Sequence, residues 1–276
     1  MVRLETFPNL DVKQKEVLSR SYFFGDNLKF SLKTPLVSNT HSKHKLVLNE
    51  ALPPALYSRL SYIGASNMLV NEVNSSGIHK LSFEQSPSDN PNIKLAGSLC
   101  SSLPKSTLNG TIDLDYSKPN FRGNLSVSQG PFINFSAVLG SSFGVGLDLN
   151  ADLVSNQVSG VKAALWYAKD NLRLMICHHG YQSFGNASLS GVLTKGNLNW
   201  AAEVTSSDTG NLKGETGISY TVSPNFQLKT KVSSKLEVCY ALKFRLLKSL
   251  KVTWCTLVDI SGESPTYSQG FKIAIH

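Results

Sequence analysis

Cys177-His178-His179 places a thiol beside two imidazoles, the side chains that bind zinc most readily. Neighbouring residues of a strand point to opposite faces, so only Cys177 and His179 would share one, and no third ligand stands near. His41 and His44 fall on opposite faces by the same rule. Gly144-Val145-Gly146 has two glycines of a nucleotide-binding turn but lacks the third glycine and the following helix. No Ser/His/Asp set or carboxylate pair can be assembled from spacing alone. The chain therefore reads as a non-enzyme, with no metal and no cofactor. What recurs instead is charge on alternate residues. Lys29 and Lys33, Lys162, Arg173, Lys229 and Lys231, Lys243 and Arg245, and Lys251 each stand opposite an aliphatic face. Fixed cations repeated on one side of many strands build a field that concentrates anions.

Those cations need a wall to hold them. Leu28, Phe30 and Leu32 alternate with Lys29, Ser31 and Lys33, and Leu46 and Leu48 with Lys45 and Asn49. Ile112, Leu114 and Tyr116 alternate with Thr111, Asp113 and Asp115, and Val145, Leu147 and Leu149 with Gly146, Asp148 and Asn150. The longest run goes from Leu236 to Leu246, with Glu237, Cys239, Ala241, Lys243 and Arg245 on the polar side. Period two marks strands with one apolar face. Turn signals separate them, among them Lys169-Asp170-Asn171, Lys195-Gly196-Asn197 and Ser223-Pro224-Asn225. Residues 50–105 are the least regular, with Pro53-Pro54, Pro87, Pro91 and Pro104.

The N-terminus has another period. Phe7, Leu10, Val17 and Leu18 fall near one face of a helix over 7–20, with Lys13, Glu16 and Arg20 opposite, and Lys15 adds a further cation. Glu16 and Arg20 are spaced for an i,i+4 pair.

The chain has 276 residues, a formal net charge of +8 and a mean hydropathy of −0.09. That balance favours polyanions, anionic metabolites or acidic lipid. No run approaches the ~18 apolar residues of a spanning helix, which leaves a transmembrane barrel open. There is no apolar signal-peptide core, and Glu5, Asp11 and Glu16 argue against an acid-poor presequence. Synthesis in the cytosol without secretion is the expectation. Cys100, Cys177, Cys239 and Cys255 form no C-x-x-C pair and suggest no disulfide framework.

Beyond the helix, at ~10 residues per strand plus a short turn, the chain makes roughly nineteen or twenty strands. One closed barrel uses them all, and its lumen is too wide for side chains to fill. The charged faces then line water and the aliphatic faces meet lipid. A single barrel domain over 1–276 is expected, with the helix over 7–20 and the barrel over 26–276.

At this point the residues resemble a family. Glu16-Val17-Leu18-Ser19-Arg20-Ser21-Tyr22-Phe23-Phe24-Gly25 and Leu32-Lys33-Thr34 are similar to the helix, hinge and first strand of the voltage-dependent anion channels. The likeness resumes at Gly130-Pro131 and runs through Val161–Tyr167 and Ser223-Pro224 to Lys251-Val252-Thr253 and Leu257-Val258-Asp259. It covers nearly the whole chain at low identity. It implies an all-β transmembrane barrel of about nineteen strands, the first and last in parallel, with the helix inside the pore. The number nineteen belongs to the resemblance, not to the arithmetic.

The resemblance further implies a voltage-gated anion channel of the mitochondrial outer membrane. Small anions and metabolites such as ATP and ADP would be its permeants. Ser268-Gln269-Gly270-Phe271-Lys272-Ile273-Ala274-Ile275 resembles the final-strand signal read by the barrel-insertion machinery, through Ser268, Gly270, Ile273 and Ile275. The lipid bilayer, that machinery and, as an option, a homo-oligomer are the implied partners; no nucleic acid is expected. Two departures stand out. The family's hinge is glycine-rich, whereas Ser21 and Phe23 leave only Gly25 here, which should weaken or slow gating. The family's fourth strand often carries a lipid-facing glutamate, and ungapped alignment puts Met68 there, with Glu72 out of register.

Rival readings are the outer-membrane protein-translocase barrel, a non-conducting porin paralogue acting as scaffold, and a soluble or lipid-binding β-protein. For the channel, the pore residues are Lys13, Lys15, Arg20 and the wall cations named above. Asp113, Asp115, Asp148, Asp152 and Glu237 share the polar faces but lie mainly in earlier strands, so one arc of the lumen should be basic and another acidic.

Overall fold

The computed structural model describes residues 10–19, 22, 27–37, 39–49, 53–87, 90–103, 105–130, 132–180, 186–207, 209–262 and 264–275. A short helix, α1 (Val12–Leu18), precedes nineteen strands. In order they are β1 (Asn27–Val37), β2 (Thr40–Leu48), β3 (Ala55–Ile63), β4 (Asn67–Asn74), β5 (Ile78–Gln85), β6 (Ile93–Ser102) and β7 (Thr107–Lys118). Then come β8 (Phe121–Ser128), β9 (Phe132–Gly140), β10 (Phe143–Asp152), β11 (Gln157–Lys169), β12 (Leu172–His179) and β13 (Ala187–Lys195). The last six are β14 (Leu198–Ser206), β15 (Leu212–Ser223), β16 (Phe226–Ser233), β17 (Glu237–Arg245), β18 (Leu250–Asp259) and β19 (Thr266–Ile275).

Each strand pairs antiparallel with its sequence neighbours, and β1 closes on β19. An odd number of hairpin-linked strands makes the first and last run the same way, so the closing pair is parallel, with Phe30 opposite Ile273 and Leu32 opposite Ile275. Closure leaves no unpaired edge, which lipid requires of a sheet. Among the described residues no helix is long and apolar enough to cross a membrane, which says nothing of a crossing by strands.

The alternation sorts side chains in the inverse of a soluble protein. Ile112 is 60% exposed and Ile176 is 53% exposed, while Asp148 is 5% and Lys229 is 2%. The aliphatic faces form the outer belt, and the polar faces line the inside. Small residues such as Ala201, Cys239 and Ala241 are buried on the inner face.

Three sequence expectations change in detail. The helix is Val12–Leu18, shorter than 7–20; residues 7–9 and 20 lie outside those described. The alternating run from Leu236 to Leu246 is trimmed to Glu237–Arg245, because Leu236 takes a positive φ of 62° in the preceding turn. Met68 does not face lipid. It pairs with Glu84, whose carboxylate binds Lys94 on the inner face, so Met68 and Glu72 both point inward. The outward residues of β4 are Asn67, Leu69, Asn71 and Val73.

Candidate functional site

The inner wall is the candidate site, and register places its side chains. Paired residues of a sheet share a face, so each cation can be followed across the ladder. Lys29 and Lys33 of β1 face inward with Lys43 and Lys45 of β2. Lys29 lies opposite Lys272 across the parallel seam. Arg59 stands opposite Lys43. On the other side of the seam, Lys243, Arg245 and Lys251 share the inner face, with Arg245 opposite Lys251. Lys229 and Lys231 follow on β16. A basic arc thus runs from β16 through the closing seam to β3, with Glu237 and Asp259 paired at one rim of it.

The remaining wall is mixed. Asp115 binds Arg122, and Glu84 binds Lys94. The Asn134 amide donates to Asp148 at 2.7 Å and to Asn150 at 2.6 Å. Lys162 and Arg173 occur here on the inner face, with Lys162 opposite His179. The acids expected to form an opposite arc thus share it with Arg122, Lys94, Lys162 and Arg173, so that part of the wall is mixed and not acidic.

The helix lies on the inner wall against β13–β16. Val17 and Leu18 pack on Val192 and Ala201. Leu10 reaches further, to Val138, Ala164, Trp166, Met175 and Cys177. Gly217 permits the close approach: a Cβ there would stand 3.0 Å from Leu18 Cδ2. Lys13 and Lys15 remain on the exposed side, and Lys15 pairs with Asp11 at 2.8 Å. The buried Gln14 amide reaches the Glu203 carboxylate beneath it.

Lys229 and Lys231 are engaged beside the helix. Lys229 Nζ donates to the Glu16 carbonyl at 2.6 Å. Lys231 Nζ lies 3.3 Å from Glu215 and 6.0 Å from the centre of the Tyr22 ring. Burial raises the pKa of the Tyr22 hydroxyl above its ordinary value, with smaller contributions from Cys239 and Cys255. Arg20, Ser21, Phe23 and Gly25 lie outside the described residues.

Cys177 and His179 do share the inner face, but no group of three metal-ligating side chains occurs among the described residues. The Gly144-Val145-Gly146 run has a packing role. The Trp166 indole turns inward and lies over Gly144, where a Cβ would come within 2.1 Å of it. On β19, Ser268 and Gly270 face inward and Ile273 and Ile275 outward, at the seam with β1.

Sequence reasoning did not assign Lys43, Arg59, Lys80 and Lys272 to the wall. The alternation of Lys45 with Leu46 already implies Lys43, and Lys272 follows from Gly270 by parity. Arg59 and Lys80 fall in the irregular stretch, where alternation is broken.

The model of the eukaryotic porin family matches residues 5–270. The chain belongs to the eukaryotic porin family. Its members are channels rather than enzymes, pore-forming barrels of an outer membrane. A lipid bilayer around the aliphatic belt and small solutes in the lumen follow for this porin too. Among curated protein sequences none matches the chain. Among solved structures, the outer membrane protease OmpT of Escherichia coli aligns over 89% of this chain and 89% of its own, with 10% identity and a TM-score of 0.10. A score that low carries no argument about fold or function.

Proposed function

We propose that this porin is a voltage-gated, anion-selective channel of the mitochondrial outer membrane, passing small anions and metabolites such as ATP and ADP by diffusion. The basic arc from β16 to β3 carries the reading. It is continuous across the closing seam and lies mostly away from the wall that the helix covers. Fixed cations on one arc raise local anion concentration without binding permeants tightly, which is what fast passage needs. The porin family and the β19 pattern at Ser268, Gly270, Ile273 and Ile275 support mitochondrial insertion. The helix lying within the lumen supports gating.

Reversal potential across a KCl gradient in planar bilayers tests selectivity. The wild type should favour chloride. Lys243→Glu with Arg245→Glu should move the potential toward potassium. A double variant with unchanged selectivity would overturn the reading.

A further inference from the structure

One register row crosses five strands on the inner wall: Lys43 on β2, Arg59 on β3, Glu72 on β4, Lys80 on β5 and Cys100 on β6. Lys33 of β1 stands at its head, opposite Lys43. Side chains directly opposite on one face sit ~4.5–5.5 Å apart at Cβ, and like charges there destabilise the sheet. Lys33, Lys43 and Arg59 are three such cations in succession. Glu72 is the acid in the row, and Arg59 holds it at 3.3 Å. Lys45 adds a further charge one register step away, its ammonium 5.2 Å over the Tyr57 ring. A concavity of about 350 Å³ lies over these side chains. The helix packs on β13–β16 and leaves it open.

We propose that this row is a saturable docking site for a linear polyanion, a chain of phosphates, which pauses there during passage. The proposal rests on the anion-channel reading and names where in the lumen, and by which chemistry, a permeant is held. A phosphate chain laid across the strands meets Lys43 and Arg59 and, past Glu72, Lys80; the Arg59 fork, which already holds Glu72 at 3.3 Å, keeps further N–H donors for phosphate oxygens. A single carboxylate would meet one or two of them. The Tyr57 ring face is already taken by Lys45, so the site reads the phosphate tail and offers no platform for a base. Phosphate charge offsets the cross-strand repulsion among Lys33, Lys43 and Arg59.

Cys100 at the end of the row reports occupancy. It is partly exposed and lines the concavity, while Cys177, Cys239 and Cys255 are buried. The full chain, refolded into phosphatidylcholine vesicles, is treated with neutral N-ethylmaleimide, and labelling of each cysteine is read by mass spectrometry. Tripolyphosphate at about ten times its dissociation constant should slow Cys100 labelling about tenfold, since one molecule in about eleven is then unoccupied. Sodium chloride at matched ionic strength should not. A nucleoside triphosphate should protect as tripolyphosphate does, and a nucleoside should not. Lys43→Gln with Arg59→Gln should abolish protection, and Lys80→Gln alone should weaken it.

Unprotected Cys100 in the wild type, protection by chloride alone, or protection that survives the double variant would overturn the site. Protection by the nucleoside triphosphate but not by tripolyphosphate would mean that the base is read, and would also overturn it. A Cys100 that never reacts places the thiol outside the concavity and overturns the site as well. The wild-type titration stands even where a variant fails to fold. Labelling needs no conductance, so a barrel that shows no chloride preference sinks the channel reading alone, and a chloride-selective barrel with unprotected Cys100 sinks this site alone.

Discussion

Lys229 has the sequence signature of a pore cation and a different use in the fold. It is 2% exposed, and its ammonium donates to the carbonyl of Glu16 in the last turn of α1. Carbonyls of a last turn have no partner within the helix, and a cation there also complements the helix dipole. Lys229 therefore anchors the helix, whereas Lys243 on the next strand contributes to the basic arc. Lys229→Met keeps the length and removes the bond. It should weaken helix docking by about 1.5–3 kcal/mol, the range for a hydrogen bond to a charged group. Maleimide labelling of Cys177, buried under Leu10, should speed up. Reversal potential should move less than in Lys243→Met. An equal shift in both variants would show that Lys229 acts on the permeant. Parity made the inward direction of Lys229 legible; its burial was not, because it depends on a helix more than two hundred residues away in sequence.

At the scale of elements, α1 has seven residues, too few to be stable alone in water. Docking holds it, through Leu10, Val17 and Leu18 on the wall and Gly217 beneath. Gly217→Val suits a strand by propensity but drives branched carbons into Leu18. The helix should leave the wall while β-sheet content stays the same. Circular dichroism with the strand signal intact, together with fast Cys177 labelling, is the expected pair of results; slow labelling would mean that the helix tolerates the bulk. The amphipathic stripe was legible in the sequence, with the correct buried residues Leu10, Val17 and Leu18.

The strands over 50–105 were harder to read, for a physical reason. Their outer face is not uniformly apolar. Ser58 Oγ lies 3.2 Å from His44 Nδ1, and His79 Nε2 donates to Asn71 Oδ1 at 2.6 Å, all four on the outer face. Polar groups facing lipid need such partners. With polar residues on both faces the period of two disappears, and the register that misplaced Met68 went with it. Elsewhere, as in β7, β10, β16 and β17, alternation marked the strand and sorted its residues into two faces.

For the whole molecule, strand number is what turns alternation into a function. A pattern of apolar and polar faces fits a soluble barrel and a membrane barrel equally; nineteen strands around one lumen enclose water, and that decides which face is which. The basic arc, facing a wall of mixed charge, then sets up a transverse field across the lumen. Charges that face water are screened over ~10 Å at 0.1 M salt and ~3 Å at 1 M. Chloride preference should therefore be modest and fade as salt rises, whereas a tight steric filter would keep it. The outer belt gives the complementary test. Leu242 and Lys243 are neighbours on β17 with opposite faces. Leu242→Arg puts a charge into lipid and should cost ~2–4 kcal/mol of folding stability if it sits near the bilayer midplane, read by urea titration in vesicles. Lys243→Leu, the mirror change, leaves insertion intact and reduces chloride preference. If Leu242→Arg folds as well as the wild type and alters selectivity while Lys243→Leu blocks insertion, the faces are inverted, and with them the reading of the lumen as the basic side.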